Sequence, residues 1–172
     1  MVPDRFEWLL APGSPTSELA ARFEEAGHDL YLVGGSVRDA LLGLPHDDLD
    51  FTTAARPDDI KTILTEFADA LYPMGEKFGT IGMRRGSAVY EITTFRSEIY
   101  RDESRKPHVT FSETIEEDLS RRDFTVNAMA LRISDARLVD PFGGAADLIA
   151  RVLRTPLDPE IAFSDDPLRM LR

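Results

Sequence analysis

The 172-residue chain has no cysteine, only three histidines, no apolar run of membrane-spanning length and too little basic charge to balance its acid. Without cysteine there is no disulfide, no thiolate nucleophile and no Cys-containing zinc site, and His28, His46 and His108 are too far apart to form a local ligand pair. No stretch approaches the roughly 20 apolar residues of a membrane helix. Met1-Val2-Pro3-Asp4 also lacks the basic-then-apolar pattern of a secretory signal. A cytoplasmic, reducing location with no membrane partner is the expectation. Lys plus Arg number 20 against 31 Asp plus Glu, a net charge of −11. That excludes a simple nucleic-acid coat, which needs a broad basic surface to release counterions from phosphate. Phosphate chemistry here must rely on local arginines or on metal ions.

What is present is ordinary globular material, 42% hydrophobic and 30% charged, enough for one domain or one domain and the beginning of a second. Thr16 or Ser17 is placed to cap a helix running to about Ala26, with Leu19, Ala20 and Phe23 on one face. Leu30–Val33 reads as a strand that stops at Gly34-Gly35, after which Ser36 can cap a helix to Leu42. A second strand is expected over Leu49–Thr53, and Pro57 opens a helix to about Ala70. Thr80–Met83 and Ala88–Phe95 read as a hairpin around Arg84-Arg85-Gly86-Ser87. From Arg96 to Ser112 periodicity is lost and charges gather, the signature of a long, mobile loop. A helix from Thr114 to about Arg121, apolar Asn127–Ile133, a short strand near Leu138-Val139 and a helix after Gly143-Gly144 follow. Pro159 and then Ser164-Asp165-Asp166-Pro167 start helices, the last still running at Arg172. The alternation gives a mixed-sheet α/β or α+β fold.

Four constellations can carry chemistry. Gly34-Gly35-Ser36-Val37-Arg38-Asp39 sits between strand and helix, where glycine lets backbone approach a ligand and helix N–H groups face anionic oxygens. A triphosphate fits there; the bland alternative is a tight turn with a surface Arg-Asp pair. In Asp47-Asp48-Leu49-Asp50-Phe51, alternation on a strand projects Asp48 and Asp50 together while Leu49 and Phe51 turn inward. Two such carboxylates suit Mg²⁺, which also accepts phosphate oxygens and water; the alternative is a solvated acidic loop. Glu91, flanked by apolar residues, is either a third carboxylate facing the metals or a solvated outer-face residue. Trp8 is expected to anchor the N-terminal arm by packing.

The third constellation, Arg121-Arg122-Asp123-Phe124-Thr125-Val126-Asn127, offers adjacent arginines for phosphate and short polar groups for a sugar hydroxyl, or else a helix cap with an exposed basic pair. The fourth, Asp166-Pro167-Leu168-Arg169-Met170-Leu171-Arg172, places polar residues at i, i+3 and i+6 of a helix. Its default interpretation is an amphipathic helix with surface ion pairs.

These blocks, in this order, with Glu91-Ile92-Thr93-Thr94-Phe95-Arg96 and Asp140-Pro141-Phe142-Gly143-Gly144 between them, closely resemble the bacterial-type (class II) CCA-adding tRNA nucleotidyltransferases and their poly(A) polymerase relatives. The resemblance spans about Tyr31 to Arg172, and the charged Ser104-Arg105-Lys106-Pro107 stretch is similar to actinobacterial members. It implies a polymerase-β-type nucleotidyltransferase head over residues 29–155, after an N-terminal arm and helix over 1–28 and before the first helices of an all-α neck over 156–172. It further implies addition of C, C and A to the tRNA 3′ end from CTP and ATP, with two Mg²⁺ held by Asp48 and Asp50 and release of pyrophosphate. Gly35 and Arg38 would hold the triphosphate, Arg122 would contact the nucleotide, Asp123 and Asn127 would lie near the ribose, and Asp166, Arg169 and Arg172 would read the base. The corresponding block commonly reads Glu-Asp where this chain has Asp165-Asp166. Complete members continue into tRNA-binding body and tail helices, which the sequence does not contain, and the acidic charge agrees with that. A poly(A) polymerase shares every block, and a truncated nucleotide-binding fragment without productive tRNA binding is the remaining alternative.

Overall fold

Leu30–Val33 is apolar at all four positions and buried at all four, which is what a central strand covered on both faces requires. Around this strand the computed structural model describes residues 6–44, 49–101 and 104–172. In chain order the elements are α1 (Glu7–Leu10), α2 (Pro15–Glu25), β1 (Leu30–Val33), α3 (Gly35–Leu42), β2 (Leu49–Thr53), α4 (Pro57–Leu64), β3 (Ala70–Gly75), β4 (Thr80–Arg85), β5 (Ala88–Thr94), β6 (Arg96–Arg101), β7 (Ser104–Phe111), α5 (Ile115–Ser120), β8 (Ala130–Arg132), β9 (Arg137–Val139), α6 (Gly144–Ala150) and α7 (Pro159–Asp165). Short 3₁₀ turns lie at Glu76–Phe78, Thr125–Asn127 and Pro167–Leu171.

Seven strands form one mixed sheet in the order β3-β4-β5-β2-β1-β8-β9, and β6 and β7 pair separately. Only β2 and β5 run parallel; the other neighbours are antiparallel. Alternation along β1 divides the interior. Leu30 and Leu32 join a large core with Phe51, Ile81 and Ile92, to which α1, α2 and α4 contribute Leu9, Phe23 and Leu64. Tyr31 and Val33 join a smaller core with Phe95, Ile115, Leu119 and Ala130. The mixed α/β architecture expected from the alternation of elements is the one observed.

Several boundaries differ from the sequence reading. Helix α2 begins earlier, because the Ser14 side chain accepts from the Ser17 N–H and Pro15 takes the first helical position. Ser36 does not cap α3; Gly34 does, without a side-chain bond. Helix α4 stops at Leu64, and Ala70–Gly75 is a strand, with Pro73 tolerated because β3 is an edge of the sheet. The segment read as a long loop is the antiparallel β6–β7 hairpin. Pro159 and Pro167 both open elements as expected, but the second is a 3₁₀ turn over Pro167–Leu171 rather than a helix still running at Arg172. The Trp8 side chain, His46 and the His108 side chain lie outside what is described.

Candidate active site

Strand β1 ends at Val33 and the chain turns sharply into α3 through Gly34, whose φ of 69° and ψ of −136° suit glycine alone. Space is a second constraint there, since a Cβ on Gly34 would stand 2.9 Å from Arg122 Nη1. From the first turn of α3, Ser36 Oγ accepts the Asp50 backbone N–H at 3.4 Å, fixing the start of β2 against the glycine turn. Asp50 is exposed while its neighbour Phe51 is buried in the large core, the alternation expected of this strand. Glu91 pairs in register with Asp50 across the parallel β2–β5 ladder and is exposed, so the two carboxylates share a face of the sheet. Asp48 lies outside the described residues. Among the described residues no group of three or more His, Asp or Glu is gathered closely enough to hold a metal ion. The donors on offer at this face are hard carboxylate oxygens, which fit a magnesium-like cation rather than a soft one.

The arginine pair is built by α5. Thr114 caps this helix through the Glu117 N–H, and Asp118, three and four residues before the pair, is fully buried beneath it. Asp118 Oδ1 accepts from Arg121 Nε at 3.1 Å and Nη2 at 2.9 Å, and Oδ2 accepts from Arg122 Nη2 at 3.2 Å. The Arg96 backbone N–H adds a further bond to Oδ1 at 3.2 Å. Burial pushes the Asp118 carboxyl up, but Arg121, Arg122 and these hydrogen bonds outweigh it and hold it below the usual carboxylate range. The pair is therefore not the exposed helix cap that the sequence also allowed: its side chains are only 15% and 19% exposed.

A polar relay joins this wall to α3 and to the C-terminal turn. Arg38 donates from Nε to Asp39 at 2.8 Å and from Nη1 to Asn127 Oδ1 at 2.6 Å. Asn127 Nδ2 in turn donates to Asp123 Oδ1 at 3.0 Å, and the Phe124 N–H donates to the same oxygen at 2.8 Å. Arg172 Nη1 reaches Asp123 Oδ2 at 3.2 Å, and Nη2 reaches Asp166 Oδ2 at 3.5 Å. Burial pushes Asp123 up, yet the Asn127, Phe124 and Arg172 bonds bring it below its ordinary value. Asp166 caps the 3₁₀ turn through the Leu168 N–H at 3.1 Å. Arg169 is 6% exposed and donates from Nη2 to the Arg121 carbonyl at 2.7 Å, tying the C-terminal turn to the end of α5.

These groups surround one polar cleft of about 390 Å³. Of the ten residues expected from sequence, nine line it: Gly35, Arg38, Asp50, Arg122, Asp123, Asn127, Asp166, Arg169 and Arg172. Glu91 shares Asp50's face without lining the cleft. Gly34 and Arg121, which belong to the glycine-turn and adjacent-arginine constellations, also line it, as does Arg96 at the end of the Glu91–Arg96 block. Asp118 was passed over, and its i, i+3 and i, i+4 spacing to the adjacent arginine pair is the signal that could have found it. Arg96 closes one of the blocks that carry the resemblance but was given no role, because it opens a hairpin that reads as loop. Six arginines against three carboxylates make the cleft locally basic within an acidic chain, an arrangement able to take a polyanion of nucleotide size.

A family described as the poly(A) polymerase head domain matches residues 30–154. The CCA-adding enzyme of Lactobacillus helveticus (strain DPC 4571) is 45% identical over 150 residues, 87% of this chain and 36% of that protein. The solved structure of the Bacillus stearothermophilus CCA-adding enzyme in complex with CTP is similar with a TM-score of 0.79 at 37% identity, covering 99% of this chain and 38% of that one. The Thermotoga maritima CCA-adding enzyme complexed with tRNA_CCA gives a TM-score of 0.77 at 30% identity, covering 99% of this chain and 39% of that one. The chain thus spans well under half the length of the relatives it matches.

Proposed function

We propose, from the premise that this chain belongs to the poly(A) polymerase head-domain family, that its cleft binds CTP and ATP and transfers their nucleotidyl groups to the 3′ end of tRNA. The observation that carries this reading is the convergence of nine separately expected residues on one basic cleft beside the glycine turn. The names of the relatives favour CCA addition, and complexes of two of them, one with CTP and one with tRNA, support the same substrates for this chain.

In this reading Asp48 and Asp50 hold two Mg²⁺. When bound, such ions lower the pKa of the attacking hydroxyl and neutralise charge on the leaving pyrophosphate. Arg38 and Arg122, with the backbone at Gly35, hold the triphosphate so that the α-phosphate faces the acceptor hydroxyl in line. Asp123 and Asn127 orient the ribose and keep Arg38 in place. Asp166 supplies acceptors and Arg169 donors to the base edge. Cytosine and adenine each present an amino donor beside a ring-nitrogen acceptor, whereas uracil and guanine present the reverse, so this pair selects C and A. The head covers residues 29–155, with the N-terminal arm before it and the start of a helical neck after it.

The test is to titrate the four nucleoside triphosphates into the chain with Mg²⁺ present and to follow incorporation onto tRNA that ends before CCA. Preference for CTP and ATP over UTP and GTP, with C then A added, is the expected result. Equal affinity for all four, or none for any, overturns the reading. The family description also covers poly(A) polymerases, and addition of A alone to RNA already ending in CCA would select that activity instead.

A further inference from the structure

We propose that Asp118 is a positioning residue that fixes Arg121 and Arg122 as a two-pronged clamp for the polyphosphate of the bound nucleotide. The proposal rests on the nucleotide-binding reading above and adds to it a residue that does not line the cleft. The geometry singles it out. Asp118 is fully buried, at 0% exposure, and the carboxylate spends its lone pairs on the two adjacent arginines and on the Arg96 N–H at the base of the β6–β7 hairpin. Both guanidiniums, and Arg96 with them, line the cleft.

An exposed arginine samples many rotamers, and each one immobilised on binding costs affinity. A guanidinium already forked onto a buried carboxylate pays that cost during folding, and its fixed plane leaves the remaining N–H groups directed elsewhere. For Arg122 those groups are defined. Nη2 is committed to Asp118, Nε is buried with no hydrogen-bond partner, and Nη1 lies against the glycine turn, where a Cβ on Gly34 would stand 2.9 Å away. A buried donor without an acceptor favours an anionic oxygen arriving beside it. The charge count agrees, since one carboxylate beneath two guanidiniums leaves a net positive wall. The glycine turn, Arg122, Asp118 and Arg121 thus form one continuous assembly in which only Asp118 has no surface of its own.

The experiment compares the wild-type chain with Asp118→Asn. Binding of CTP and of inorganic triphosphate is measured by titration calorimetry in one magnesium-containing buffer, at a temperature where circular dichroism shows both proteins folded. The expected result is a loss of at least tenfold in affinity for both ligands, because their shared polyphosphate meets arginines no longer held. Unchanged affinity in a folded Asp118→Asn chain overturns the positioning role and leaves the nucleotide reading standing. Failure of the wild-type chain to bind either ligand overturns both. A second measurement covers an Asp118→Asn chain that does not fold. In ¹⁵N-arginine-labelled wild type, with signals assigned from Arg121→Lys and Arg122→Lys, inorganic triphosphate is expected to shift the Arg122 Nε–H resonance while the slowly exchanging Arg121 Nε–H stays bonded to Asp118. Rapid exchange of the Arg121 Nε–H, or no shift at Arg122, overturns the proposal.

Discussion

At the scale of single residues, the proposed function depends on one carboxylate exposed to the cleft and on one position where a side chain is strained. Asp50 is exposed at the cleft and lies outside both cores. Its replacement by Asn is therefore expected to abolish nucleotidyl transfer while the melting temperature stays within a few degrees of wild type. Primer extension and thermal melts with and without Mg²⁺ check this, and full activity in Asp50→Asn or in Asp48→Asn would remove the two-metal assignment. Gly34 fails differently. Its φ of 69° lies where side chains are strained, and a methyl group would also press on Arg122 Nη1. Gly34→Ala should cost about 1–3 kcal/mol from backbone strain, seen as a Tm several degrees lower, and should weaken CTP binding because Arg122 is displaced. An unaltered melt would mean that the turn adapts.

At the scale of elements, charge and packing act together along α5, the 3₁₀ turn that follows and the C-terminal turn. Asp118 and Asp123 both titrate below their ordinary values in the folded chain. A carboxyl depressed on folding contributes stability that is present above its unfolded pKa, near 4, and is lost as pH falls through its folded pKa. Acid unfolding should therefore steepen below about pH 4, and Asp123→Asn, which removes one of these groups, should flatten that limb relative to wild type in denaturant melts run across the range. The same elements show what a sequence can and cannot disclose. Strand β1 was legible as a run of four apolar residues buried at every position, β2 from the alternation of Leu49, Asp50 and Phe51, and the β4–β5 hairpin from one-sided burial around a turn. The β6–β7 hairpin was not, since two strands outside the main sheet need no apolar alternation, and Arg96 at its start therefore received no role. Strand β3 was hidden by Pro73, which only an edge position permits. Asp118 reads as one more acidic residue in Glu116-Glu117-Asp118 until the packing of α5 buries it and leaves Glu116 and Glu117 outside. Asp166 and Arg169 do face one cleft, but through a 3₁₀ turn capped by Asp166 rather than along a helix. If they read the base, Asp166→Ala and Arg169→Ala should relax selection against UTP and GTP by roughly tenfold to a hundredfold, the cost of one unsatisfied hydrogen-bonding group, and more than they reduce triphosphate affinity. Incorporation of all four nucleotides measures it; wild-type preference in both variants would leave the residues as structural ties between the C-terminal turn and α5.

At the scale of the whole molecule, a basic cleft is set into a chain of net charge −11, and the two facts act on ligands of different size. On the proposed function, a nucleoside triphosphate would carry its charge into a cleft lined by six arginines. A tRNA presents phosphates across a surface far wider than the cleft, where it meets the acidic exterior. Much of the cleft's positive charge is also already matched: Arg38 pairs with Asp39, Arg121 and Arg122 with Asp118, and Arg172 with Asp123 and Asp166. Residues 1–172 should thus bind CTP yet hold tRNA weakly, with a dissociation constant above the micromolar range at about 150 mM salt, where the Debye length is about 8 Å. The salt dependence distinguishes this from a merely weak basic surface. Proteins that neutralise several phosphates bind more tightly as salt is lowered, because counterions are released. Here lower salt also lengthens the reach of the acidic exterior, so the plot of log affinity against log salt should be nearly flat. Gel shifts at three salt concentrations decide it: micromolar tRNA binding that tightens steeply at low salt would show a phosphate-binding platform within these 172 residues and would overturn the argument from net charge.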